Sequence, residues 1–175
     1  ALLAASADLE VDDGGAENFL GLVRAAVPLA AAGAVAASAE LLDNAARVTA
    51  KMAATDPGAR GPMHAALALR AMNRGAMGTA YEEMEAAAIA FERVGSIRNA
   101  LELAGIAGFI ALELGSIERG EESLRRTIRR SRAVGLEPLC AVARHNRGRR
   151  IGEAGRPDAG LERERSALVS FRAHD

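Results

Sequence analysis

Glycine recurs at a fixed interval along most of the chain. The series has a spacing of 20 residues and comprises Gly75, Gly95, Gly115, Gly135 and Gly155. The dipeptide Gly14-Gly15 and the segment Thr55-Asp56-Pro57 occupy earlier positions of the same series. A glycine just beyond a helix end adopts a left-handed conformation in which a Cβ would clash. The series therefore predicts helix ends at regular intervals.

The segments between these glycines have apolar residues at helical spacing. In 99–114 the apolar face comprises Ala100, Ala104, Ala107, Ala111 and Leu114. These positions follow the i, i+3, i+4, i+7 pattern of one helix face, and the segments 116–134 and 158–173 behave similarly. The spacing predicts helices of about 17 residues joined by short turns, and helices joined so closely pack antiparallel.

The composition favours helices over strands. Forty-one of the 175 residues are alanine, and aromatic residues make up only 3%. Alanine has the highest helix propensity and lets helices approach closely. The β-branched and aromatic residues that favour strands are scarce. We therefore expect an all-α protein with closely packed helices.

Residues that favour helix starts stand next to the breaks. Ser96 and Ser116 are candidate N-caps. Prolines suited to first-turn positions are Pro57, Pro138 and Pro157. Pro28 lies inside the segment 16–33 and is expected to kink or end that helix.

A second periodicity of 40 residues is superimposed on the first. Gly108 recurs as Gly148 and Gly120 recurs as Gly160, with Ala80 at the matching earlier position. A small residue repeated in each helix of a pair indicates where the two helices cross at short distance. One pair cannot bury its own apolar face, whereas stacked pairs can.

This pattern resembles the tetratricopeptide repeat family. The matching residues are the small one before the break (Ala68, Gly108, Gly148), the break glycine (Gly75, Gly115, Gly155), the small one five positions later (Ala80, Gly120, Gly160), and Ala87 and Ala167. The segment 31–48 fits too, with Gly33 at the break, Ser38 at the crossing, then Leu42 and Ala45. The units would be 16–55, 56–95, 96–135 and 136–175. Two features depart from the family: its usual period is about 34 residues, and its aromatics are mostly replaced here by Ala, Ile or Leu.

The resemblance implies an α-α superhelix, a solenoid of antiparallel helix pairs. Longer units of this kind resemble helical arrays attached to bacterial signalling ATPases, protein kinases and transcriptional activators. Because the chain has no initiator Met, we expect it to be part of a longer protein, with 1–15 the tail of a preceding helix or a linker. The last helix would leave Leu161, Ala167, Leu168 and Phe171 uncovered. This arrangement predicts self-association through uncapped ends.

Charge and cysteine content constrain the surroundings of the protein. The net charge is −1, but residues 1–87 carry 6 basic and 11 acidic side chains, and residues 88–175 carry 16 and 12. The halves therefore differ, at −5 and +4. Cys140 is the single cysteine and cannot form an internal disulfide, which favours a reducing, cytoplasmic location. No apolar run is long enough to span a membrane.

The sequence has no recognisable catalytic, cofactor or metal motif. The histidines are His64, His145 and His174, and none stands at metal-ligand spacing. No GxSxG, Walker or GxGxxG motif occurs. Cys140 lies near a predicted helix start, which can lower a thiol pKa; the alternative is a small buried packing residue. We expect no enzymatic activity and no cofactor.

The segment 125–150 is rich in arginine: it contains nine arginines and one acidic residue, Glu137. The candidate basic patch comprises Arg125, Arg126, Arg129, Arg130, Arg132, Arg144, Arg147 and Arg150. One interpretation is a solvated exterior, because Glu121 and Glu122 stand four residues before Arg125 and Arg126. The other is a surface for acidic protein segments or phosphates. Scarce aromatics and the net charge argue against nucleic acid.

In the resembled family, the first helix of each pair lines a concave surface that binds peptides or helices. The resemblance places Leu69, Met72 and Asn73, then Glu102, Phe109 and Glu113, then His145, Arg149 and Glu153 on this groove. Phe109 could equally be a core residue. Methionines occur at Met52, Met63, Met72, Met77 and Met84; such side chains fill cores or form adaptable binding surfaces.

These features predict a non-catalytic protein–protein interaction scaffold within a larger bacterial regulatory or signalling protein, with a protein or peptide as partner. An alternative is a ligand- or peptide-sensing module of a transcriptional regulator or kinase. A third is a nucleic-acid-binding helical array, whose affinity would fall steeply with salt.

Overall fold

The computed structural model describes the backbone of residues 16–153 and the side chains of residues 19–148. Seven α-helices make up this part of the chain: α1 Ala16–Ala31, α2 Val35–Met52, α3 Arg60–Asn73, α4 Met77–Arg93, α5 Ile97–Glu113, α6 Ile117–Ala133 and α7 Glu137–Glu153. A short 3₁₀ turn, Pro57–Ala59, precedes α3. The described residues contain no strand, so the prediction of an all-α fold is confirmed.

Left-handed glycines stand at every break between the described helices except that between α2 and α3, where the sequence has Thr55-Asp56-Pro57 in place of glycine. Among residues 16–153, five glycines have positive φ: Gly33 (82°), Gly75 (73°), Gly95 (76°), Gly115 (80°) and Gly135 (73°). At the fourth of these, the Gly115 amide donates to the Leu112 carbonyl at 3.0 Å and the Ser116 amide donates to the Ala111 carbonyl at 2.9 Å. This pair of hydrogen bonds is the Schellman motif, which satisfies backbone carbonyls left free at the helix end. Gly155 lies outside the described residues.

The described residues fall into two compact units that divide after Ser96. In the first unit each helix packs on the next, from α1 to α4, and α1 also contacts α3. In the second unit α6 packs on both α5 and α7, and α5 also contacts α7. Consecutive helices thus bury their apolar faces against one another, which no single helix pair could do alone.

Small residues stand where α5 and α6 cross. A Cβ added at Gly120 would lie 2.5 Å from Leu112 Cδ2 and 2.8 Å from the Gly108 carbonyl oxygen. One added at Gly108 would lie 3.1 Å from Leu124 Cγ. The predicted crossing is therefore present, and only glycine fits at its centre. The equivalent positions Ala68 and Ala80 of the first unit are fully buried.

The cores combine a few large side chains with many alanines. One cluster in the first unit contains Phe19, Val48, Met52 and Ala59. In the second unit Leu112, Leu124 and Ala143 bring α5, α6 and α7 together. Of the methionines, Met52 and Met84 are buried, while Met63, Met72 and Met77 are half-buried.

Several local predictions need correction. Leu114 is 47% exposed because α5 ends at Glu113, so this residue does not belong to the buried face. Helix α1 continues past Pro28 to Ala31, so the proline does not end it at that point. Ser116 occupies the N-cap position of α6, but its hydroxyl makes no capping hydrogen bond.

Other predictions concern residues that lie outside the described part of the chain. They are the tail or linker at 1–15, the helix 158–173, the first-turn Pro157, the small residues Gly160 and Ala167, His174, and the uncapped end with Leu161, Leu168 and Phe171.

Candidate functional site

Alternate helices within a unit form one layer. In the first unit α1 contacts α3 directly, whereas α2 and α4 make no comparable contact. The layer of α1 and α3 is therefore the more closely spaced of the two, which places it on the inside of any curvature of that unit. In the second unit α5 and α7 are the corresponding pair. These are the helices to which the family resemblance assigns the groove.

On α5 the predicted groove residues share one face. Glu102, Phe109 and Glu113 are separated by seven and then four residues, a spacing that places them on one helical stripe. Glu102 and Phe109 are half-buried and Glu113 is exposed. The phenyl ring of Phe109 therefore keeps part of its surface outside the core of its own unit.

On α7 the structure places His145 on the surface. Arg149 and Glu153 belong to the same helix, although their side chains lie outside the described set. Contact between α5 and α7 brings these two stretches of predicted groove residues into one layer of the second unit.

In the first unit Leu69, Met72 and Asn73 are half-buried on α3. Asn73 serves the packing of its own unit. Its Nδ2 donates to Ser38 Oγ at 3.1 Å, and Ser38 Oγ donates to the Ala26 carbonyl at 2.8 Å. This chain of bonds joins three helices. It also confirms Ser38 as a buried crossing residue, while the binding role of Asn73 stays a prediction.

Three arginines of the candidate basic patch, Arg125, Arg129 and Arg147, form ion pairs with glutamates of α6. Glu121 on α6 receives Arg125 from the same helix and Arg147 from α7, the latter with Nη2 3.1 Å from Oε2. Glu121 and Arg147 are both mostly buried, at 18% and 21% side-chain exposure. Because the carboxylate bridges two helices and is partly removed from water, this cluster stabilises the packing of the second unit.

A second pair forms differently from the prediction. Glu122 contacts Arg129 at 3.4 Å, seven residues on, instead of Arg126. Both side chains are more than half exposed, so this pair contributes little to stability.

The remaining arginines of the patch differ in how far their side chains are exposed to solvent. Arg126 and Arg132 are exposed, and Arg130 and Arg144 are half-buried. The side chain of Arg150 lies outside the described set. The patch is thus an arginine-rich surface threaded with glutamates, in keeping with the first of the two interpretations.

Cys140 is a buried free thiol on α7. Burial raises its pKa, and Glu137 adds to this effect, while the guanidinium of Arg132 acts in the opposite direction. A raised thiol pKa leaves less of the reactive thiolate at neutral pH. The structure therefore places Cys140 among packing residues and contradicts the idea of an activated nucleophile at the start of α7.

The first unit also contains a cavity that the sequence did not reveal. It has a volume of about 470 Å³ and is partly open to solvent. Its lining comes from the α2–α3 connection, the first turn and a half of α3 and the end of α4: Ala53, Pro57, Arg60, Met63, His64, Ala86, Ile89, Ala90, Arg93 and Val94. Beside it, His64 Nδ1 lies 2.7 Å from Glu83 Oε2, a contact that joins α3 to α4.

The only sequence signal for this cavity was the methionine content around Met63, together with the interruption of the glycine series at Thr55-Asp56-Pro57. Asp56 caps the 3₁₀ turn there, its Oδ1 accepting from the Gly58 amide at 2.8 Å. The extra turn separates α2 from α3 and contributes Pro57 to the cavity wall.

The geometry described above defines a class: stacked antiparallel helix pairs with left-handed glycine breaks. The chain matches no protein-family model, and no curated protein or solved structure is significantly similar to it. Within residues 16–153 no helix is both long enough and apolar enough to cross a bilayer. The same part of the chain holds no cluster of three or more side chains suited to a metal ion.

Proposed function

We propose that this chain is a tetratricopeptide-like helical array that serves as a non-catalytic protein–protein interaction module. In this proposal it belongs to a larger cytoplasmic bacterial regulatory or signalling protein. Extended peptides or helices bind along the layer formed by the first helix of each pair. The observation that carries the proposal is the stripe Glu102, Phe109 and Glu113 on α5, where a rare aromatic ring stays half-buried between two carboxylates.

The energetics of recognition favour such a stripe. A half-buried aromatic ring on a rigid helix presents a large apolar area at low conformational cost, and such residues dominate binding energy at interfaces. Carboxylates at its margins discriminate between partners by charge. The left-handed breaks and glycine crossings hold the helices in a defined geometry, so little entropy is lost when a partner binds.

A selection from a displayed library of random linear peptides tests this proposal. We expect enriched peptides to bind the protein and to lose about tenfold in affinity on Phe109→Ala, as at a central interface residue. Because Phe109 is half-buried, His145→Ala provides a second test: its side chain is exposed, so its loss cannot disturb the core. Glu118→Ala, exposed on α6, is the matched control and should leave affinity unchanged.

Two outcomes would overturn the proposal. One is a selection that enriches no peptide. The other is binding that resists both Phe109→Ala and His145→Ala while the circular dichroism spectra of the variants match that of the parent protein.

A further inference from the structure

The cavity of the first unit combines apolar walls with positive charge. Ile89 and Val94 on its wall are 52% and 45% exposed, and Met63 beside them is half-buried. Apolar surface left in water costs about 25 cal/mol for each Å² exposed. An apolar group that entered the cavity would recover part of that cost from three side chains at once.

Two guanidinium groups give the cavity its charge. Arg60 is the first residue of α3 and Arg93 is the last of α4. Neither forms an ion pair with any residue that the structure describes, and none of the ten lining residues is acidic. The carboxylate of Glu83 contacts His64, which is one of the lining residues.

The helix dipoles explain only one of these arginines. A cation in the last turn of a helix is stabilised by the negative end of the dipole, which accounts for Arg93. Arg60 directly follows the 3₁₀ turn Pro57–Ala59 and lies far from the last turn of α3, so the negative end of that dipole does not stabilise it. The guanidinium of Arg60 is well suited to a bound carboxylate, whose two oxygens match its pairs of N–H donors.

We propose that this cavity binds an acidic peptide segment. An apolar side chain of the segment enters between Met63, Ile89 and Val94, and its flanking carboxylates pair with Arg60 and Arg93. The inference rests on the proposed interaction function and adds a second recognition surface to it. The volume of about 470 Å³ suits one or two side chains, and the open side leaves room for a peptide backbone, whereas small-molecule sites enclose most of their ligand.

A fluorescein-labelled peptide in which leucines alternate with glutamates is the probe, with fluorescence polarisation as readout. We expect the double variant Arg60→Gln, Arg93→Gln to weaken binding about tenfold at low salt, and less at high salt because screening already reduces the attraction. The matched control is Arg47→Gln, Arg74→Gln, which removes the same charge from exposed positions of the same unit. Ile89→Glu, at an exposed position, should also weaken binding, because it places a negative charge on the cavity wall that repels the glutamates of the peptide.

Three results would overturn the inference. If the two double arginine variants weaken peptide binding equally, net charge alone attracts the peptide. Undiminished binding of the same peptide with glutamine in place of glutamate would remove the role of the carboxylates. Binding of dodecanoate without binding of the peptide would assign the cavity to small amphiphiles. If library peptides depend on Phe109 while the probe is indifferent to Arg60 and Arg93, the interaction function stands and only the cavity assignment fails.

Discussion

At the left-handed helix breaks, one backbone angle decides which residue can be accommodated. At Gly75 φ is +73°, and no atom would lie within 4 Å of an added Cβ. Any penalty for a side chain there is therefore conformational rather than a clash with neighbours. In this backbone region an L-residue is destabilised by about 1–2 kcal/mol.

Replacing glycine by alanine should lower the free energy of unfolding at a left-handed break and raise it inside a helix. We expect Gly75→Ala to lower the free energy of unfolding by about 1–2 kcal/mol. Gly21→Ala, at an exposed position inside α1 with equally open surroundings, should raise it by about 0.5–1 kcal/mol because alanine favours the helix. Urea unfolding followed by circular dichroism measures both. Equal effects at the two positions would contradict the role assigned to the left-handed breaks.

Several polar side chains join neighbouring helices through hydrogen bonds or ion pairs. Ser38 and Asn73 join three helices of the first unit. In the second unit Glu121 joins α6 to α7, and the Ser123 hydroxyl donates to the Ala104 carbonyl of α5 at 3.1 Å. A buried hydroxyl or carboxylate that finds such a partner avoids the cost of desolvation, so these contacts select one register of the helices.

At the scale of helices, glycine allows close approach. The crossing of α5 and α6 brings the Gly108 carbonyl oxygen to within 2.8 Å of a Cβ built at Gly120. Because the obstacle includes backbone as well as the Leu112 side chain, rotamer changes alone cannot relieve it. The two helices would have to move apart.

This contact leads to a prediction for the helix pair. Gly120→Ala should destabilise the protein by about 1–3 kcal/mol, the usual cost of overpacking, even though alanine is the better helix former. Glu118→Ala, two residues earlier on the exposed face of α6, should change stability by less than about 0.5 kcal/mol. Thermal melts of the two variants provide the comparison. A neutral Gly120→Ala would mean that the helices do not cross at this position.

At the scale of the whole molecule, charge separates an interaction module from a nucleic-acid-binding array. Nine arginines lie within 125–150, yet the chain as a whole has a net charge of −1. Glutamates on α6 hold Arg125, Arg129 and Arg147. Arginines already paired with glutamates neutralise fewer charges of a polyanion, so fewer counterions are released from it and electrostatic binding is weaker.

We therefore expect weak retention on heparin, with elution below about 150 mM salt. Glu121→Gln, Glu122→Gln should increase retention by freeing arginines. Glu82→Gln, Glu85→Gln makes the same change of charge at exposed positions of α4 and should increase it less. Strong retention of the parent protein with a steep salt dependence would favour the nucleic-acid-binding alternative.

Much of the fold could be predicted because it depends on local chemistry. Left-handed glycines follow from backbone sterics at single residues, and helix lengths follow from the distance between them. The crossing of α5 and α6 was predictable as well, since glycine at both Gly108 and Gly120 meets a requirement that few other residues satisfy. The exposed Leu114 was misassigned, because a periodic pattern does not show where the last helical turn ends.

The sites depended on tertiary structure, because they bring together residues that are distant along the chain. Helical periodicity could place Glu102, Phe109 and Glu113 on one stripe, but only packing determined that Asn73 bonds to Ser38 and that Glu121 receives Arg147. The cavity between Arg60 and Arg93 was not predictable, because its walls come from two antiparallel helices and a connecting turn. The sequence by itself determined the helices and their breaks through short-range sterics, whereas the pairing of charges and the shape of the cavity were decided by long-range packing.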